Sequence, residues 1–173
     1  MASLIVPRPR TRGIALPALL AVLACAFLGM GKKEPPITVR FFAEAKKEDT
    51  DRFAKPVTFR HPAREGYIEN VPSIHEKFIK SVYPVQAADG TWGCLIQLDN
   101  AGRINLEVLS TERRGSTLVA FVGTKNGAHQ VVEFAVDKPI RDGVIFIPNG
   151  LTELEIAAIA KTWPVMGHNK KAN

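Results

Sequence analysis

The residues best suited to metal chemistry do not fall at metal-binding spacings. His75 and Glu76 begin the pattern of a zinc-protease helix, in which a second histidine must follow one helical turn later. Ile79 occupies that position, so the pattern is incomplete and a surface helical histidine is the better interpretation. Cys94 has no second cysteine at zinc-site spacing. We therefore predict no metal site and no cofactor; the remaining histidines, which also lack ligand spacing, are His61, His129 and His168.

Nucleophilic and acid–base chemistry is no better supported. Cys94 lies in an apolar stretch, where a buried and unreactive thiol is expected, and an enzyme built around Cys94 is the least favoured alternative. The sequence contains no glycine-rich phosphate loop. The aspartates adjoin turns or helix starts, which explains their presence without catalysis. A pair of carboxylates for acid–base catalysis stays an alternative, but no feature of the sequence supports it. We predict no catalytic residue and no enzyme activity; the aspartates concerned are Asp89, Asp99, Asp137 and Asp142.

The net charge of +6 is carried by the first part of the chain. Residues 66–173 contain eleven basic and eleven acidic side chains, so the part with the clearest folding signals is neutral. A nucleic-acid-binding domain concentrates basic charge on its folded part, because neutralising phosphates supplies much of the affinity. We therefore expect no nucleic-acid partner. An apolar content of 46% allows a real core, and two cysteines exclude a disulfide scaffold.

Residues 13–31 contain no charged side chain and lie between an arginine-rich start and Lys32. Their length is intermediate between a secretory signal and a short spanning helix. Arginines before the apolar run favour a cytoplasmic start, which puts the rest of the chain on the extracytoplasmic side of the membrane. Three fates stay open: an uncleaved anchor, lipid attachment at Cys25 in a lipobox-like sequence, and cleavage after Ala26. We expect this segment to have the membrane as its partner and the protein to belong to the cell envelope.

Proline content divides the rest of the chain. Nine of the twelve prolines precede residue 85, and none lies between residues 85 and 138. In the proline-rich part, β-branched and aromatic residues predict strands at Ile37–Ala43 and Val57–Phe59, and the stretch from Pro62 to Pro72 is expected to be a connection. We expect four regions: a signal or anchor (1–31), a linker and N-terminal extension with one or two strands (32–70), an α+β domain (71–165) and a polar tail (166–173).

The α+β region contains capped helices and turn-bounded strands. Ser73 followed by Glu76 predicts a short helix that ends near Ile79, and Thr152 followed by Glu155 predicts a final helix. A further helix is predicted from residue 99 to about residue 112, and residues 148–150 are expected to form a turn. Apolar runs bounded by turn residues predict strands at 81–88, 91–98, 118–122, 130–136 and 144–147. The predicted fold class is α+β: a two-layer sandwich with a mostly antiparallel sheet, helices on one face and ferredoxin-like character.

Turn glycines, helix caps and core positions between Trp92 and Trp163 follow a recognisable order. An apolar strand ends in Leu98-Asp99, and a glycine and a leucine follow on the next helix. Together with the approach from about residue 72, the pattern resembles the head subdomain of the first periplasmic domain of the SecD and SecDF protein-export family. The positions that carry the resemblance are Leu98, Asp99, Gly102, Leu106, Gly115, Gly127, Pro139, Ile140, Gly143, Gly150, Thr152 and Glu155.

The resemblance implies a fold more strongly than an activity, because these positions are structural. SecD proteins have several further transmembrane helices that conduct the proton-driven step, whereas this sequence has one apolar segment, at its start. The resemblance therefore implies a non-catalytic module that binds a protein partner through a sheet edge or a helix-free sheet face, accessory to protein export or envelope assembly. A structural subunit of an envelope complex, with contacts through residues 32–70, is the first alternative. The large aromatic residues are interpreted as core rather than as a peptide groove: Tyr83, Trp92, Phe121 and Trp163.

Overall fold

The computed structural model describes residues 37–46 and 53–167, which form a mixed α+β fold, as the sequence predicts. The strands are β1 (Ile37–Ala43), β2 (Ala54–Arg60), β3 (Ala63–Glu69), β4 (Ile79–Gln86), β5 (Trp92–Leu98), β6 (Thr117–Thr124), β7 (Gly127–Ala135) and β8 (Val144–Leu151). The helices are α1 (Asn100–Glu112), α2 (Glu153–Thr162) and a short 3₁₀ helix (Glu76–Phe78).

The described strands are divided among three sheets rather than gathered into the single sheet that we expected. One sheet has the order β1–β6–β7, another has the order β4–β5–β8, and β2 pairs only with β3. Every strand pair in these sheets is antiparallel. The expected connection from Pro62 to Pro72 is wrong, because most of it is β3. β1, from the expected N-terminal extension, pairs with the central strand β6 and so contributes to the main body.

The two larger sheets share one core. Alternating side chains of β1 and β6 enter it, and α2 packs against β1, β4 and β5. Fully burying a large aliphatic or aromatic side chain stabilises a fold by about 1.5–3 kcal/mol, so this alternation selects the strand register. The most deeply buried large residues of this core include Ile37, Phe41, Ile74, Ile96, Leu106, Ile147 and Ile159.

Asp99 is the N-cap of α1, as predicted. Its Oδ1 accepts a hydrogen bond from the backbone N–H of Gly102 at 2.7 Å. The helix approaches the 3₁₀ helix closely at this point, because a Cβ on Gly102 would lie 2.7 Å from the Cβ of Phe78. Leu106 is buried one turn later. Gly115 follows the helix with a φ of +84°, a conformation that glycine adopts readily.

The predicted capping box of α2 is also present. Thr152 Oγ1 accepts a hydrogen bond from the N–H of Glu155 at 3.3 Å, and Glu155 Oε2 accepts one from the N–H of Thr152 at 2.9 Å. N-caps of this kind stabilise a helix by about 1 kcal/mol. The helix buries Ile156 and Ile159, and Trp163 at its C-cap completes the apolar stripe.

The predicted helix over Pro72–Ile79 is wrong. The backbone N–H of Ser73 donates to Phe41 O at 2.9 Å, and the N–H of Phe41 donates to Ile74 O at 2.8 Å. This segment therefore bridges to the edge of β1, and only the 3₁₀ helix remains. His75 rather than Ser73 caps that helix through its ring Nδ1, so His75 is a cap and not a helical surface residue.

The expected turn at residues 148–150 lies within β8 instead. The strand continues to Leu151, which pairs with Trp92, and the register shifts between Trp92 and Cys94. Gly150 has a φ of +90° there. The signal for a turn therefore marks an irregularity inside a strand rather than its end.

Several predictions concern the ends of the chain. The apolar segment at residues 13–31, the proposed lipid-attachment residue Cys25 and most of the polar tail lie outside the described residues. Within residues 37–46 and 53–167, neither α1 nor α2 has the length and hydropathy that a membrane span requires.

Candidate functional site

Alternation along the β4–β5–β8 sheet separates an inner face from an outer face. Val82, Ile96 and Ile145 lie opposite one another, and each is at most 5% exposed. Because successive side chains of a strand point to opposite faces, the neighbours of these residues point away from the core. They form a surface that we call the uncharged face, defined by Ser81, Tyr83, Val85, Leu95, Gln97 and Phe146.

The centre of the uncharged face is a row of three large side chains, one from each strand. Tyr83 lies opposite Leu95, and Leu95 lies opposite Phe146. Tyr83 is 51% exposed and Phe146 is 47% exposed. Residues directly opposite in antiparallel strands have Cβ atoms about 4.5–5.5 Å apart, so the row is continuous. Exposed aromatic side chains are typical of protein-interaction surfaces, and none of the six defining residues is charged.

Two sheet edges are closed to an added strand. On β4, Pro84 lacks an amide hydrogen, and the N–H of Val82 already donates to Pro164 O at 2.9 Å. On β1, Ile37 and Val39 are 0% and 1% exposed, so solvent does not reach their backbone groups. At these two edges a partner strand would find few free backbone groups.

The β2–β3 hairpin covers part of the outer face of the β1–β6–β7 sheet. Phe59 and Ile68 of the hairpin pack with Phe42 and Val119 of the sheet in a second apolar cluster. The guanidinium of Arg64 lies 4.0 Å from the centroid of the Phe59 ring. The hairpin is therefore held to the sheet by a small core of its own.

Glu44 connects β3 of the hairpin to the sheet. Its Oε2 accepts hydrogen bonds from Arg64 Nη2 at 2.8 Å and from the N–H of Thr117 at 3.0 Å. Burial alone raises the pKa of Glu44, but the hydrogen bonds from Arg64 and Thr117 outweigh it and lower the pKa. The ionised carboxylate thus joins β3, the start of β6 and the residue after β1.

Glu133 on β7 connects the tip of the hairpin to the sheet. Its carboxylate oxygens accept hydrogen bonds from the N–H of Arg60 at 2.8 Å and from the N–H of His61 at 3.2 Å. These amides lie at the tip of the β2–β3 hairpin. Arg113 also forms an ion pair with Glu69 at the end of β3. The hairpin is therefore attached at its tip and at its base.

A groove of about 330 Å³ lies between the hairpin and the part of the sheet that it leaves uncovered. Phe42 and Phe121 form its aromatic wall, with ring centroids 5.6 Å apart in an edge-to-face contact. Lys55 Nζ lies 4.8 Å from the centroid of the Phe42 ring. The charged residues along this groove, Lys55 and Arg40, are both cationic. We call it the hairpin groove; its other lining residues are Thr38, Pro56, Ile68, Gly123 and Ala128.

Arg40 is held in place by Glu76 of the 3₁₀ helix. Arg40 Nε and Nη2 donate to the two carboxylate oxygens of Glu76, each at 3.0 Å. These hydrogen bonds lower the pKa of Glu76 against the opposing effect of burial. The bidentate geometry fixes the guanidinium at the groove and partly balances its charge.

Cys94 is fully buried, and its Sγ lies 3.6 Å from Leu95 O. Burial raises the pKa of the thiol to about 11. At neutral pH only about one thiol in ten thousand is then ionised, so Cys94 is a poor nucleophile. Within the described ranges, no three His, Cys, Asp or Glu side chains are grouped so that they could hold a metal ion.

The residues that carry the family resemblance lie at structural positions. Leu98 and Gly143 meet at the start of α1, where the N–H of Leu98 donates to Gly143 O at 2.9 Å, and Thr152 and Glu155 cap α2. None of the resemblance positions lies on the uncharged face or lines the hairpin groove. The others form a helix N-cap, core contacts, turns, a loop and a strand irregularity: Asp99, Gly102, Leu106, Gly115, Gly127, Pro139, Ile140 and Gly150.

The assignment of four aromatic residues to the core is partly wrong. Trp163 is 9% exposed in the core, and Trp92 packs against it. Tyr83, however, is half exposed, and Phe121 lines the hairpin groove. Aromatic character alone cannot distinguish the two faces of a strand; the available signal for Tyr83 was its position next to the apolar Val82 in an alternating strand.

Comparison with known proteins shows a similarity of fold but no similarity of sequence. No family model and no curated protein matches the sequence. The structure of a membrane component SecDF that enhances protein export has a TM-score of 0.50 at 12% identity, and the match covers 90% of this chain and 74% of that chain. A structure of SecDF in a super-membrane-facing form has a TM-score of 0.48 at 12% identity, covering 76% and 20% of the two chains. The fold of this chain thus resembles that of SecDF, as the pattern of its turn glycines and helix caps predicts.

Proposed function

We propose that this protein is a non-catalytic protein-binding module on the extracytoplasmic side of a membrane, accessory to protein export or envelope assembly. The observation that carries the proposal is the uncharged face, where the exposed Tyr83 and Phe146 flank the half-buried Leu95 in one row. The partner would be an apolar, uncharged stretch of polypeptide. A charged side chain placed on this face would lose water without gaining an opposite charge, which costs free energy.

The fold supports the cellular setting of this proposal. The structurally similar SecDF is a membrane component that enhances protein export. By analogy, we propose that residues 13–31 attach this protein to the membrane, with Cys25 as the lipid-attachment residue if the segment is lipidated. The uncharged face is the side of the β4–β5–β8 sheet that points away from the core shared by the two larger sheets, and the partner would bind there.

The closed edges favour this binding mode over strand exchange. β1 pairs with β6 of the same chain along its whole length, from Ile37 to Ala43. A structural subunit that exchanges β1 with a neighbour would first have to break this pairing. The buried, protonated thiol of Cys94 likewise gives no support to the enzyme alternative.

Site-specific photocrosslinking in the full chain tests the proposal. A photoreactive phenylalanine would replace Tyr83 or Phe146 in cells that produce and export proteins. A matched control replaces Leu154, which is 84% exposed on α2 and lies off the uncharged face. We expect crosslinks to several exported polypeptides from positions 83 and 146, and none from position 154.

Two other outcomes would reject the proposal. Crosslinks to one fixed envelope protein in constant ratio would support the structural-subunit alternative. Equal yields at all three positions would show that the uncharged face has no special role. The double variant Tyr83→Ser and Phe146→Ser provides an independent check, since it should abolish recovery of exported polypeptides while its thermal unfolding stays cooperative.

A further inference from the structure

The hairpin groove differs in charge from the uncharged face and implies a second site. We propose that it binds a polypeptide segment that combines an apolar side chain with a carboxylate. This inference goes beyond the proposed function, because it assigns a different surface and a different ligand chemistry. It is carried by the aromatic wall, by the cations beside it and by the open rim.

The apolar part of the site comes from Phe42, Phe121 and Ile68. Phe42 is 7% exposed and Ile68 is 3% exposed, so the wall is firmly packed against the hairpin. A volume of about 330 Å³ is at the lower end of the range for ligand pockets, which suits inserted side chains rather than a folded element. An aliphatic or aromatic side chain placed here would contact the edge-to-face pair of Phe42 and Phe121.

The charges beside this wall favour a ligand of negative charge. Arg40 is oriented by its two hydrogen bonds to Glu76, so its charge is partly balanced. Lys55 is exposed on β2, and its ammonium lies over Phe42 at the opening of the groove. None of the described residues that line the groove is acidic. A ligand carboxylate therefore meets Lys55, whereas a ligand cation is repelled.

The open rim favours a peptide over a lipid acyl chain. Lys55, Pro56 and Ala128 are exposed along the rim. An acyl chain lying in an open groove would leave many of its methylene groups in water. A peptide can insert one or two side chains and keep its polar backbone hydrated. The shape and the charge of the groove therefore favour the same ligand.

Fluorescence anisotropy with the full chain and three labelled peptides tests the inference. The peptides share their apolar residues and differ only in a central Glu, Gln or Lys. We expect the Glu peptide to bind about three- to fivefold more tightly than the Gln peptide, which is the upper part of the range for an exposed ion pair, and the Lys peptide to bind most weakly. Lys55→Met should remove the preference for Glu, and the matched control Lys125→Met, in the β6–β7 turn, should preserve it.

Ala128→Trp would fill the groove from an exposed position and should lower the affinity for all three peptides at least tenfold. A thermal unfolding curve for each variant separates loss of binding from loss of folding. Equal affinity for the Glu and Lys peptides, or unchanged binding to Ala128→Trp, would overturn the inference. Binding of dodecanoate without binding of any peptide would identify a lipid site and also reject it. Because the uncharged face is tested by crosslinking at position 83, either proposal can fail while the other stands.

Discussion

His129 Nε2 lies 2.7 Å from Glu155 Oε1, and this contact joins the start of β7 to the first turn of α2. Glu155 Oε2 also accepts hydrogen bonds from the backbone N–H and from Oγ1 of Thr152, each at 2.9 Å. Burial alone raises the pKa of Glu155, but the hydrogen bonds from Thr152 and His129 outweigh it and lower the pKa. One carboxylate therefore caps the helix and fixes it to a neighbouring sheet.

We expect Glu155 to contribute stability that acid removes. Its ordinary pKa is 4.5 and its pKa in the folded protein is lower, so the ionised form stabilises the fold fully above about pH 4.5. That contribution is lost as the pH falls through the lowered pKa. Glu155→Gln should reduce the free energy of unfolding by about 1–2 kcal/mol at pH 7, and by less at pH 3. Urea denaturation of both proteins between pH 3 and pH 7 measures the difference.

Glu153 provides the matched control, because it lies in the same helical turn and is exposed. Glu153→Gln should change the free energy of unfolding by at most about 0.5 kcal/mol, through its interaction with the helix dipole. Some acid sensitivity will remain in Glu155→Gln, since Glu44 and Glu76 also have lowered pKa values. An identical pH profile for Glu155→Gln and the unmodified protein would contradict the prediction.

Glu133 should control the mobility of the hairpin tip. Glu133→Gln removes the charge that accepts the hydrogen bonds from the N–H groups of Arg60 and His61. Because these bonds are exposed, we expect a global destabilisation of only about 1 kcal/mol. Hydrogen exchange at the two amides should accelerate more than at the core strands. Glu65→Gln, on the hairpin itself, is the control; equal acceleration in both variants would show that Glu133 does not hold the tip.

Gly102 should be more stabilising than alanine at the same place, although alanine is the better helix former. Gly→Ala in a helix interior ordinarily gains about 1 kcal/mol. Here the new Cβ would lie 2.7 Å from the Cβ of Phe78 and 3.1 Å from the Cβ of Leu98. Overpacking of this kind costs about 1–3 kcal/mol, so we expect a net loss of up to 2 kcal/mol in Gly102→Ala. Asn105→Ala on the exposed side of α1 should instead raise the free energy of unfolding by about a few tenths of a kcal/mol. A gain in stability in both variants would refute the steric argument.

Local signals predicted the caps, because they act between neighbouring residues. Asp99 with Gly102, and Thr152 with Glu155, form the hydrogen bonds that their spacing implies. The β-branched and aromatic content of β1 and the apolar run of β6 likewise predicted two strands, whose inner residues lie in the core. By contrast, β3 was missed because Ile68 is the one apolar side chain that it buries, and only its pairing with β2 makes it a strand.

Both candidate surfaces depend on contacts between distant parts of the chain. The uncharged face requires Tyr83, Leu95 and Phe146 to come into register across three strands. The hairpin groove requires Lys55 to meet Phe42, which depends on how the hairpin lies on the sheet. Neither arrangement has a local pattern, so the sequence indicated only that a sheet face was available for binding.

The two surfaces should differ in their response to salt. The uncharged face has no ionic side chain at its defining positions, so its binding rests on apolar burial, which simple salt does not screen. The groove relies on Lys55, and raising the ionic strength from 0.05 to 0.5 M should shorten the screening length from about 14 Å to about 4 Å. We expect crosslinking through position 83 to keep its yield over this range, while the affinity of the Glu peptide falls to that of the Gln peptide. A parallel loss at both surfaces would mean that charges outside the uncharged face carry its binding, and the apolar mechanism proposed for it would be wrong.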